Sequence, residues 1–186
     1  IHHLWGNMNK QLLYKLIKLI PKPIRGLGKR IYNPVIPTIA KVVYGEDAYP
    51  EATQLMCNKL KEFMENGIAG DVIEFGTFKG GATLQLAKTL KELKSDKLLY
   101  SLDTFEGLPK ENKEDTVPKF YKDTMNSNIN KVSGMLKENN IEKEVVLMKG
   151  LFSQSIPKLK NKRFCFAYVD CDLYQGTKEA LEFLIP

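Results

Sequence analysis

Val72-Ile73-Glu74-Phe75-Gly76-Thr77-Phe78-Lys79-Gly80-Gly81-Ala82-Thr83 begins as a short apolar run, turns on glycines, and passes into a pattern in which Leu86, Leu90 and Leu93 share one helical face. The order is strand, tight turn, helix. In an open parallel sheet such a turn lies at the carboxyl end of a strand, where ligands bind and helix-start N–H groups are unpaired. Gly76 and Gly80 let the backbone approach a ligand closely, because neither carries a Cβ. The spacing E-x-G-x-x-x-G is neither the dinucleotide fingerprint G-x-G-x-x-G nor a phosphate loop ending in Gly-Lys-Ser/Thr. With Glu74 before the turn, the stretch suits a ligand bearing an amino group and a ribose better than a pyrophosphate. Taken alone, a Gly-rich turn of this kind serves packing as readily as binding.

Outward from this stretch the chain reads as alternating helices and strands. A helix is expected over 51–66, with Met56, Leu60, Phe63 and Met64 on one face, Pro50 in its first turn and Gly67 at its end. After the strand at 71–75 and the helix to 93, a second buried strand at 97–102 ends at Asp103. That acid stands 29 residues beyond Glu74, close to one βαβ unit, where a carboxylate can take both hydroxyls of a ribose. A polar, Lys-rich loop follows at 104–123. A helix is then expected over 126–138, with Met125, Ile129, Val132 and Leu136 in phase, and a third strand over 144–148 that turns at Lys149-Gly150-Leu151-Phe152-Ser153. Residues 157–163 read as a basic surface link. A fourth strand at 164–169 delivers Asp170, and a helix carrying Tyr174, Thr177, Leu181 and Leu184 is expected over 173–185. The economical fold is α/β, a Rossmann-like doubly wound parallel sheet. Four strand ends then meet on one rim, bringing together Glu74 with the glycines, Asp103, the Gly150 to Ser153 turn, and Asp170 with Asp172.

Asp170-Cys171-Asp172 places two hard oxygen ligands beside the cleft, a set that suits Mg²⁺ retaining several waters. Equally, Asp172 can cap the helix starting near Leu173, with Asp170 bonded to a nearby turn.

The length, 186 residues, suits one domain, and 43% hydrophobic with 27% charged residues is ordinary for a globular protein. Cys57, Cys165 and Cys171 are too few and too unevenly placed for a disulfide framework or zinc site, which points to reduced thiols and a cytoplasmic setting. The net charge of +6 is unevenly held: all 22 acids lie from Glu46 onward, whereas 8 of the 28 basic residues precede it. The body therefore carries a net −2, which disfavours a nucleic-acid-binding body. Three segments result: a leader or tag at 1–7 before Met8, a basic arm at 8–48, and the domain at 49–186. In the arm, Leu12, Leu13, Leu16, Ile17 and Ile20 form one stripe of an amphipathic helix. It is read as packing on its own body or on a second copy in a homodimer, with peripheral membrane contact as the alternative. The chain stops at Leu184-Ile185-Pro186 where another strand is due, so a fragment is expected.

Four segments together, E-x-G-x-x-x-G-G-A-T, Leu102-Asp103-Thr104-Phe105-Glu106-Gly107-Leu108-Pro109, Lys149-Gly150-x-Phe152 and Asp170-x-Asp172-Leu173-Tyr174, resemble the macrocin O-methyltransferase family. The resemblance implies a class I, S-adenosylmethionine-dependent enzyme that methylates sugar hydroxyls of a glycan or glycosylated metabolite. It implies that Glu74, Gly76, Thr77, Phe78, Gly80, Gly81 and Thr83 wrap the methionine part of the cofactor and that Asp103 binds its ribose. Thr104, Phe105, Gly150, Phe152 and Ser153 would flank the sugar and adenine. Asp170 matches the family's first metal ligand, for Mg²⁺, and is the main catalytic candidate, with Asp172 as the weaker candidate for a base. The family's further acidic ligands and last sheet strands belong beyond Pro186, which is why the chain by itself is expected to be inactive. A phenolic or other small hydroxyl acceptor and a non-catalytic nucleotide-binding domain are the alternatives. The only histidines, His2 and His3, lie in the leader, so histidine-based catalysis is not expected.

Overall fold

The apolar run that opens the deciding stretch forms β1 (Asp71–Phe75), an inner strand of a four-stranded parallel sheet in the computed structural model of the protein. The structure describes residues 50–110, 113–115 and 125–185. The leader at 1–7, the arm at 8–48 with the helix expected in it, Tyr49, residues 111–112 and 116–124 of the polar loop, and Pro186 lie outside the described residues. No helix among the described residues is long and apolar enough to cross a membrane.

In chain order the elements are α1 (Pro50–Glu65), β1, α2 (Gly81–Glu92), β2 (Leu99–Asp103), α3 (Ile129–Glu138), β3 (Val145–Lys149), a single helical turn α4 (Phe152–Ser155) running into a 3₁₀ turn (Ile156–Leu159), β4 (Phe164–Val169) and α5 (Tyr174–Leu184). The sheet order is β3-β2-β1-β4, parallel throughout. The chain thus steps outward from β1 through β2 to β3 and then returns to β1's other side. That reversal opens a crevice at the carboxyl ends of β1 and β4, the position where open parallel sheets bind ligands.

Both faces of the sheet are covered, which is why its strands are apolar runs rather than alternating patterns. Val72, Leu99, Cys165 and Tyr168 pack with Met56 and Leu60 of α1, Leu86 and Leu90 of α2, and Val132 and Leu136 of α3. Ile73, Phe75, Tyr100, Leu102 and Val169 face the opposite way, onto Leu159 and α5. There Phe75 meets Phe152 edge-on at 5.3 Å between ring centroids, and Phe164 meets Phe183 at 5.9 Å. Each such fully buried Leu, Ile or Phe stabilises the fold by roughly 1.5–3 kcal/mol. The three cysteines are free thiols.

Several boundaries differ from the sequence-based expectation. α3 begins at Ile129 rather than 126, because the Asn128 side chain accepts from the N–H groups of Asn130 and Lys131 and fixes the first turn there. Met125, though in phase with the stripe, precedes the helix. Residues 157–163 are more than a solvated link: Leu159 is 3% exposed and belongs to the core. The Lys162 ammonium in the same stretch donates to Asp71 at 3.1 Å.

Glycine is required at one place by its surroundings and tolerated at another. Gly76 has φ +96°, and a Cβ there would overlap the carbonyl oxygen of Asp170 and lie 2.9 Å from its carbon. Gly134, inside α3, has nothing within 4 Å of where a Cβ would stand. Gly76→Ala is therefore expected to destabilise by about 3 kcal/mol or more, or to prevent folding. Gly134→Ala should stabilise by ~0.5–1 kcal/mol through helix propensity. Urea midpoints of the two variants against the parent check both signs.

Candidate active site

The turn after β1 is held by backbone hydrogen bonds to one side chain from the neighbouring strand. Asp103, last residue of β2, accepts at Oδ2 from the N–H groups of Thr77 (3.0 Å) and Phe78 (2.8 Å). Its Oδ1 accepts from Phe105 N at 2.7 Å. Its carbonyl accepts from Gly150 N, 2.9 Å away in the turn after β3. One residue thus ties three strand ends together. Hydrogen bonds to an ionised carboxylate contribute roughly 1.5–3 kcal/mol each, about twice a neutral pair. The Thr104 hydroxyl also lies 3.4 Å from Oδ1, but its single proton is directed to the Gly107 carbonyl at 2.6 Å, so one of the roughly four acceptor positions of the carboxylate stays open to a ligand hydroxyl. On the other side of β1, Asp170 N donates to Phe75 O at 2.8 Å, which continues the β1–β4 ladder to the rim.

The rim also concentrates unusual backbone. Five described residues other than glycine have positive φ: Phe78, Lys94, Phe105, Asn140 and Asp172. Lys94 and Asn140 follow the ends of α2 and α3, where left-handed residues are routine. The other three stand in the turns after β1, β2 and β4. Strain of this kind gathers where geometry serves a ligand rather than the fold.

Two carboxyl groups at the rim carry buried oxygens. Glu74 is wholly buried, accepts at Oε2 from the Thr83 hydroxyl at 2.6 Å, and has no partner at Oε1. Burial pushes its pKa from 4.5 up to about 7, against the opposing effect of the neighbouring Thr83 and Ser101 hydroxyls. Asp170 is raised to about 8, first by burial and then by the nearby charges of Asp172 and Glu74. Its Oδ1 is buried without a partner, and Tyr168 Oη lies 3.4 Å from Oδ2. An orphaned, buried acidic oxygen beside a second carboxylate suits a hard cation, so Asp170 with Asp172 fits one side of a Mg²⁺ site. The described residues hold no group of three or more His, Cys, Asp or Glu that could complete one.

The remaining residues singled out by sequence divide into rim and support. The atom closest to Gly76 is the Asp170 carbonyl oxygen, and a Cβ at Gly80 would meet Met135 and Val132 of α3, so both glycines serve internal packing. Gly81 opens α2. Thr83 is buried and spends its hydroxyl on Glu74. Thr104 donates to the Gly107 carbonyl at 2.6 Å and closes its own turn. Phe105 is 4% exposed and packed in the core, where it cannot stack on a ligand in this conformation. The Phe152 ring packs on Phe75, while Ser153 is exposed beside Gly150. The expected cap at Asp172 is corrected: Asp172 has φ +57°, Leu173 is the N-cap, and no side chain of the cap residue bonds the helix. Instead Asp115, 59 positions earlier, accepts from Tyr174 N at 2.6 Å. No local spacing announces that contact. Ser101, a small hydroxyl within the apolar run of β2, is a further buried polar residue on the rim's inner face.

Comparison with known proteins agrees with this fold. The sequence profile of the family described as Macrocin-O-methyltransferase (TylF) matches residues 30–186. A curated relative from Streptomyces olivaceus, 8-demethyl-8-(2,3-dimethoxy-alpha-L-rhamnosyl)-tetracenomycin-C 4'-O-methyltransferase, is 24% identical over 131 residues, covering 66% of this chain and 50% of that one. The chain therefore spans about half the length of the curated relative it matches. Among solved structures, the O-methyltransferase NovP has a TM-score of 0.64 at 20% identity, over 72% of this chain and 59% of its own. An O-methyltransferase from Bacillus cereus in complex with SAH has a TM-score of 0.51 at 18% identity, over 77% of this chain and 54% of its own. Similarity at these identities establishes the fold.

The buried Glu74 makes a stability prediction whose sign is fixed. With a folded pKa of about 7 above an ordinary 4.5, the folded state holds its proton longer than the unfolded chain. Its contribution is therefore fully favourable below about pH 4.5 and is lost as pH rises through 7. Glu74→Gln should be more stable than the parent at pH 8 by up to roughly 3 kcal/mol, with the advantage shrinking toward pH 5. Thermal midpoints at the two pH values measure it.

Proposed function

The chain belongs to the macrocin O-methyltransferase family, and on that premise we propose that it forms the cofactor-holding part of an S-adenosylmethionine-dependent O-methyltransferase. The acceptor is a sugar hydroxyl of a glycan or glycosylated small molecule. The observation that carries the reading is the meeting of Glu74, Asp103 and Asp170 on one rim, with Asp103 tying the turns after β1 and β2 together. Negative charge gathered at a glycine turn suits a cationic nucleoside and would repel a pyrophosphate. The sugar-directed name of the Streptomyces relative and the SAH held by the Bacillus cereus structure support the choice of acceptor and cofactor.

S-adenosylmethionine, when bound, supplies an already activated methyl group as a sulfonium. The protein's task is then alignment and proton management. Asp103, with acceptor capacity left over, takes the ribose hydroxyls, and the turn from Gly76 to Gly81 surrounds the methionine portion. Glu74 supplies negative charge beneath that turn. Thr104 and the Gly150 to Ser153 turn border the nucleoside side. A sugar hydroxyl must lose its proton as the methyl arrives, and Asp170, raised to about 8, is matched to accept one near neutral pH. Asp172 keeps the local potential negative and is the weaker candidate for the same role. With Mg²⁺ held by Asp170, the ion would supply a lowered pKa and a fixed direction to a bound hydroxyl and would keep Asp170 ionised, and proton acceptance would then pass to Asp172.

Calorimetry with S-adenosylhomocysteine and a methyl-transfer assay on a rhamnosyl glycoside test this in the full-length protein. Binding is expected for the parent and for Asp170→Asn alike, whereas Asp170→Asn should lose methyl transfer by about 100-fold or more. Failure of the parent to bind S-adenosylhomocysteine, or undiminished turnover by Asp170→Asn, contradicts the assignment.

A further inference from the structure

Glu74 and Ser101 stand directly opposite each other in the parallel register of β1 and β2, so their side chains share one face of the sheet. Both residues are 0% exposed. Thr83 satisfies Glu74 Oε2, but Glu74 Oε1 and Ser101 Oγ are each buried with no hydrogen-bond partner. A hydroxyl can rotate to suit its neighbour, and two adjacent unpaired groups of this kind are the two halves of one bond.

We propose that Ser101 is a positioning residue for the methyl donor: its hydroxyl turns onto Glu74 Oε1 and, with Thr83 on Oε2, holds the carboxylate in its charged form beneath the Gly76 turn. The inference rests on the cofactor reading given above. The surroundings explain why a second donor is needed. Asp103 at the end of β2 acts against a charge on Glu74, and Glu74 in turn acts against one on Asp170 at the end of β4. Tyr168, Glu74's register neighbour on β4, directs its hydroxyl to Asp170. From α3, Val132 and Met135 present apolar groups to the turn at Gly80. The hydroxyls of Thr83 on α2 and Ser101 on β2 are what these elements offer in favour of the anion. A cationic ligand arriving over the turn then meets a carboxylate that is fixed in place and gives up its proton at a lower pH than it would without the second hydroxyl.

The test is the affinity for S-adenosylhomocysteine measured from pH 5.5 to 8.5, alongside carbon-detected NMR titration of the Glu74 carboxyl in the ligand-free protein. Affinity of the parent should rise as Glu74 ionises. Ser101→Ala should move both midpoints upward by roughly one pH unit, the worth of one hydrogen bond to a charged group. Ser101→Thr, which keeps the hydroxyl, should restore them. Ser101→Cys, close in size but a poor donor, gives the same reading as alanine if the smaller side chain impairs folding. Unmoved midpoints, or a uniform loss of affinity at every pH with an unchanged Glu74 titration, overturn the proposal. If the parent binds no S-adenosylhomocysteine at any pH, the cofactor reading fails, and the Glu74 titration still decides whether Ser101 bonds it.

Discussion

The backbone of Gly76 lies against the carbonyl of Asp170, closely enough that no side chain fits between them. This contact is where β1 and β4 part company, since β1 leads to one side of the sheet and β4 arrives on the other. Because the strands are parallel and in register up to Phe75 and Val169, their ends are level at the rim. The distance between the glycine turn and the Asp170 segment is thus fixed by main chain rather than by side chains. Asp103 fixes the second separation, from β1 to β2, through the backbone N–H groups of Thr77 and Phe78. Together the two constraints set the width of the crevice before any ligand enters.

What the rim gathers is costly to the fold. Desolvation disfavours the ionised forms of the buried Glu74 and the partly buried Asp170, and the charge of Asp103 adds to the cost at Glu74 as that of Glu74 does at Asp170. A core built for stability alone would place an apolar residue at both positions. Orphaned oxygens on the same two side chains, and positive φ at Phe78, Phe105 and Asp172, point the same way. Stability is given up at one edge of the sheet, where a cationic ligand would recover it.

The sequence made some of this legible and hid the rest for physical reasons. The strands at 71–75 and 164–169 were readable to their last residue, because each is an apolar run bounded by turn or charged residues. The start of α3 was misread because Met125 continues the hydrophobic period, whereas the cap at Asn128 sets the boundary. Gly76 was recognisable as essential, but its reason was not: the group it accommodates comes from a strand more than ninety residues later. The same holds for Asp115, whose partner Tyr174 follows at a separation of 59. Asp172 looked like a cap by spacing, and its left-handed backbone carries it away from that role. Local chemistry was legible, and contacts made by the fold between distant segments were not.

The central claim is that one rim forms a cup for a sulfonium-bearing nucleoside. The most direct measurement is a crystal structure of the protein with S-adenosylhomocysteine bound. The account predicts ribose hydroxyls within hydrogen-bond distance of Asp103 and the homocysteine portion along the turn from Gly76 to Gly81. Ligand density on another face, or an Asp103 carboxylate still bonded to Thr77, Phe78 and Phe105 with no ligand against it, would contradict it.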